Sequence, residues 1–167
     1  MRNSYLNKIR KKSYMKDFNN LLELELDFWE LDSPELKEIL RNINTNDFIQ
    51  TLYSQSMPQG NPGKKTSYLT FAYNASVELE IFRNIIPHFI QNYNYNSGSK
   101  YAVCWYNFSL PKENENYSKG SKKLGLASTD NKNYFMINHI HLNLECENFQ
   151  IHTEFWNDLN LKLSTIK

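Results

Sequence analysis

Between Tyr134 and Trp156 apolar and polar side chains alternate nearly residue by residue, and a period of two is the mark of a strand with one buried face and one wet face. Met136, Ile140, Leu142, Leu144 and Cys146 interleave with His139, His141, Asn143 and Glu145. Phe149, Ile151, Thr153 and Phe155 then interleave with Gln150, His152, Glu154 and Trp156. The spacing predicts a C-terminal β-hairpin turning at Glu147-Asn148, and a chain that must hide the apolar side of such a hairpin is committed to an antiparallel sheet with a layer packed on it.

In that hairpin Asn143 faces His152 and His141 faces Glu154, so His139, His141, Glu145, His152 and Glu154 share the polar face. Opposed Cβ atoms lie ~4.5–5.5 Å apart, within reach of a common ion. His139, His141, His152 and Glu154 therefore form a candidate ligand set for a divalent transition metal. Without a metal, His141, His152 and Glu154 are candidates for acid and base in a hydrolase or nuclease, because imidazole titrates near neutral pH. An ordinary solvated strand face carries the same residues and needs no cofactor, and the expectation is none.

Upstream, residues 21–31 alternate Leu22, Leu24, Leu26 and Phe28 with Glu23, Glu25, Asp27 and Trp29, which predicts a half-buried strand with an acidic face. Ser33-Pro34-Glu35 reads as a helix start, followed by Leu36, Ile39, Leu40 and Ile43 at helical spacing. A second short helix is expected from Asn46 to Gln55 with Phe48, Ile49 and Leu52 inward. After a Pro/Gly-rich loop at residues 57–63, Ser67 to Asn74 reads as a strand. Ser76 to Tyr93 reads as a helix kinked or restarted at Pro87, with His88 as a core or boundary histidine. Residues 100–110 are again β, a long polar excursion occupies 111–133 with a short edge strand near Leu124–Ala127, and Asn157-Asp158 caps a final short helix.

The chain has 167 residues and a formal charge of +1, which leaves no basic excess of the kind a dedicated nucleic-acid binder carries. That total conceals a polarity. Residues 1–16 hold Arg2, Lys8, Arg10, Lys11, Lys12 and Lys16 and no acid, whereas residues 17–38 hold eight acids against Lys37. The basic arm, helical or mobile, is the one place where a nucleic acid could bind. No apolar run of signal-peptide or membrane-span length is present, so the expected location is the cytoplasm. Cys104 and Cys146 lack a neighbouring Cys or His at zinc-site spacing and read as small buried side chains.

The expected fold is a single α+β domain over residues 1–167, a mainly antiparallel sheet of about five strands with helices on one face and the C-terminal hairpin at its end. The function it favours is a protein-binding or inhibitor module of the kind that immunity proteins and antitoxins represent. Glu23, Glu25 and Asp27, with Glu30 and Asp32 beyond them, would dock a basic protein partner such as a toxin or nuclease, and Trp29 would supply an aromatic anchor.

Overall fold

The computed structural model describes residues 5–23, 34–56, 65–95, 101–108 and 137–167, the strand at 101–108 by its backbone. Helix α1 spans Lys8–Glu23 and α2 spans Pro34–Asn44. Strands β1 (Ile49–Gln55) and β2 (Thr66–Tyr73) come next. A helical run, α3, then passes through five pieces: a 3-10 turn (Ala75–Val77), an α turn (Glu78–Glu80), a π turn (Ile81–Ile85), an α turn (Ile86–Ile90) and a second π turn (Gln91–Tyr95). Strands β3 (Tyr101–Phe108) and β4 (Asn138–Glu145) and helix α4 (Phe149–Ser164) complete the described chain.

The four strands are ordered β1-β2-β4-β3, and the three pairings are all antiparallel. Alternation sorts the side chains. Leu69, Phe71, Tyr73, Ile140, Leu142 and Leu144 point to one face, where α2, α3 and α4 pack on them to form the main core. Each such side chain, taken fully from water, contributes about 1.5–3 kcal/mol. Helix α1 lies at the β1 end: Phe18 joins the main core, while Leu6 and Tyr14 meet Leu52, Ala72 and Ile137 in a smaller cluster. The α+β class and the antiparallel sheet agree with the sequence. The sheet has four strands among the described residues rather than about five, and the segment near Leu124–Ala127 lies outside them.

Three expected elements are different. Residues 21–23 end helix α1 instead of opening a strand, because Lys11, Tyr14, Phe18 and Leu22 already form an inward helical stripe; the rest of the expected strand lies outside the described residues. The expected helix over Asn46–Gln55 is strand β1 from Ile49. Asn46 stops helix α2: its Oδ1 accepts from Phe48 N–H at 2.8 Å and its Nδ2 donates to the carbonyls of Leu163 (3.2 Å) and Ile166 (2.7 Å). Asn44 seals the same corner, accepting from Thr51 N–H at 2.8 Å and donating to Thr51 Oγ1 at 2.7 Å, so the chain leaves extended.

The third correction is the C-terminal hairpin. β4 pairs with β2 and β3, and the chain beyond Glu145 turns into helix α4 rather than a returning strand. Asn148 caps it, its Oδ1 accepting from Gln150 N–H at 2.9 Å. His152, Phe155, Trp156, Leu159 and Leu163 are its buried stripe, a helical spacing that an eight-residue window starting at Phe149 cannot separate from alternation.

Proline explains the first π turn of α3. Pro87 has no N–H, and its ring would strike the carbonyl of Arg83 in a regular helix. The preceding turn widens, Ile86 N–H bonding Ile81 O five residues back, and the helix resumes. This is the restart expected at Pro87. Among the described residues no helix is long and apolar enough to cross a membrane.

Candidate functional site

The face of the sheet turned away from the main core carries Tyr68 and Thr70 from β2 and His139, His141, Asn143 and Glu145 from β4. By register, β3 sets Asn107 beside His139, Trp105 beside His141 and Tyr101 beside Glu145. His141 Nδ1 is 2.8 Å from Thr70 Oγ1, and its ring lies 5.2 Å from that of Tyr68. His139 Nδ1–H donates to the carbonyl of Ile137 at 3.1 Å, which leaves Nε2 as the acceptor in the neutral ring. Burial lowers the pKa of both histidines, and for His141 the neighbouring His139 adds to it. Near neutral pH this face therefore presents uncharged imidazoles among half-buried polar groups.

His152 is elsewhere. It sits on α4, 1 % exposed, on the core side of the sheet. Its Nε2–H donates to the carbonyl of Cys146 at 2.8 Å, and Ser67 Oγ–H donates to its Nδ1 at 2.7 Å. Ser67 and Thr70 are three apart on β2 and so point to opposite faces, which puts the sheet between His152 and His141. Glu154 lies exposed on α4. The constellation His141, His152 and Glu154 expected for acid–base chemistry is not assembled, and neither is the ligand set His139, His141, His152 and Glu154. Both depend on a hairpin, and the second strand is a helix. Among the described residues no group of three or more His, Cys, Asp or Glu side chains gathers as metal ligands would.

His152 is instead a structural clamp with both ring nitrogens engaged, tying α4 to β2 and to the end of β4. Burial lowers its pKa, against the hydrogen bond to Cys146, which favours protonation. Cys146 is buried in the main core, as expected of a small apolar side chain. Cys104 takes a place in β3.

Of the acidic residues, Glu23 is the last residue of α1, and Glu25, Asp27, Trp29, Glu30 and Asp32 lie outside the described residues. The helices on either side are both fixed: Phe18 of α1 and Leu36 of α2 are 6 % and 1 % exposed in the same core.

One polar cluster is not visible in the sequence. Asp158 on α4 accepts from Tyr93 OH at 2.6 Å through Oδ2, and His88 Nε2 is 3.3 Å from the same oxygen. Burial pushes the Tyr93 phenol up, with the bond to Asp158, that carboxylate's charge and the Glu154 charge adding to it. The five-residue step from His88 to Tyr93 faces one direction because of the second π turn, and Asp158, a cap by its sequence context, lies in the body of a sixteen-residue helix. The cluster bridges α3 and α4. Comparison of the chain with protein-family models, curated proteins and solved structures found no match.

Proposed function

We propose that this protein is a small binding module whose acidic segment, between α1 and α2, docks a basic protein partner. The observation that carries the reading is the anchoring of that segment's two ends: Phe18 and Leu36 are both sunk in one core, so Glu25, Asp27, Glu30 and Asp32 are tethered between two fixed helices. A charged segment held at both ends loses less conformational freedom on binding than a free tail would. Residues 24–33 contain four acids and no base, which would steer a cationic surface toward them, and Trp29 would add apolar contact area. The competing hydrolase draws no support from His141, His152 and Glu154, which lie on different surfaces.

The test is capture by affinity-tagged protein, followed by identification of the retained material. The expected result is a basic polypeptide whose binding weakens at least tenfold when Glu25, Asp27 and Glu30 are changed together to Lys. Its association rate with the unaltered protein should also fall steeply with salt. Retention of the same polypeptide by the charge-reversed protein would overturn the assignment.

A further inference from the structure

We propose that the outward face of helix α1 is a contact surface for an anionic phospholipid bilayer, independent of the acidic segment. Lys11, Tyr14 and Phe18 are buried and set the inner side of the helix. At about 100° per residue, Lys8, Ile9, Lys12, Lys16, Asn19 and Asn20 fall within roughly a third of the circumference on the opposite side. All six are exposed. Ile9 is 83 % exposed, the most open large apolar side chain among the described residues. Lys8, Lys12 and Lys16 form no ion pair or hydrogen bond with any described residue. Asp17, the one acid of α1 before Glu23, lies off this arc and is half-buried.

The isoleucine decides between polyanions. A phosphodiester backbone would accept the lysines but offers an aliphatic side chain far less apolar surface than an acyl boundary does, and among the described residues no aromatic ring stands on this arc for a base to stack on. A bilayer surface takes both: headgroup charge for the ammonium groups and the acyl boundary for the isoleucine. Attachment is peripheral and reversible, since three lysines and one isoleucine are far weaker than an inserted span.

Co-sedimentation of the full chain with vesicles tests this. The protein should pellet with phosphatidylserine-containing vesicles at low salt, should not pellet with pure phosphatidylcholine, and should be released at about 0.5 M salt, where screening shortens to a few Å. Each Lys→Gln change should lower partitioning about fivefold, and Lys8→Gln, Lys12→Gln and Lys16→Gln together on the order of a hundredfold. Ile9→Ser should weaken binding severalfold without altering its salt dependence. Circular dichroism confirms that the variants are folded, and the salt release of the unaltered protein is a readout that needs no variant. Failure to pellet at low salt, equal pelleting of the triple variant, or equal binding to neutral vesicles would overturn the proposal. So would binding of poly(U) without binding of vesicles, which would reassign the face to nucleic acid.

Discussion

Among the described residues, three histidines and one lysine have pKa values lowered because burial disfavours their charged form. For His139, His141 and His152 the folded pKa lies below the ordinary value, so the unfolded chain binds protons more readily. Their contribution to stability is complete above about pH 6.5 and is lost as the pH falls from there through the folded values. Denaturant unfolding at pH 7.5, 6.5 and 5.5 should show that decline, and His152→Gln should flatten part of it. His152→Ala should cost about 2–4 kcal/mol at pH 7.5, because it leaves a cavity and strips partners from Ser67 Oγ and the Cys146 carbonyl. Lys11 obeys the same sign in the alkaline range. Its Nζ donates to the carbonyls of Asn44 and Ile49 where α2 ends, and burial lowers its pKa to about 8, against the opposing charge of Asp47. Between pH 8 and 10.5 the unfolded chain keeps the proton that the folded one has released, so stability rises with pH there, by an amount on the order of 3 kcal/mol. Lys11→Met should abolish that alkaline rise in the same unfolding measurement.

At the level of elements, the readable parts are those whose pattern runs long enough to be unique. Helix α2 announces itself by Ser33-Pro34 and four apolar residues at helical spacing, β2 and β3 by aromatic and β-branched runs, and β4 by strict alternation. The errors arise where a short window satisfies two periods. Phe149–Trp156 alternates, yet Phe155, Trp156, Leu159 and Leu163 extend one helical stripe that needs sixteen residues to see. Because the candidate site is built on that segment, the change of element moves His152 and Glu154 to other surfaces, while His139 and His141 keep their shared face. Strand β1 escapes sequence reading for a different reason: the information lies in Asn44 and Asn46, whose side chains divert the backbone, Asn46 through contacts distant in sequence. Asn46→Ala tests that weight. Loss of the bonds to Phe48 N–H and to the Leu163 and Ile166 carbonyls, at about 0.5–1.5 kcal/mol each, should lower stability by roughly 2–3 kcal/mol. The urea midpoint should fall with an unchanged slope, and amide exchange should accelerate first over residues 163–167.

Over the whole molecule the decisive property is separation of charge rather than its sum. A chain with formal charge +1 and pI near 7.7 is close to electrically neutral at physiological pH and has little net repulsion to keep copies apart. Residues 1–16 are nevertheless purely basic and residues 17–38 strongly acidic, and in the fold three lysines of the first group face outward on α1. The lysines of the α1 face and the acids of residues 24–33 carry opposite charge, which predicts weak, salt-sensitive attraction between copies in the absence of any other partner. Light scattering at pH 7.5 should therefore show association at low ionic strength. That association should disappear near 0.3 M salt, where the Debye length is shorter than the spacing of exposed pairs. Neutralising Lys8, Lys12 and Lys16 should suppress it at every salt concentration, by removing one of the two complementary surfaces. Association that instead strengthens with salt would be apolar in origin. It would transfer the role of the contact surface from these charges to the exposed Ile9, Leu79 and Leu161.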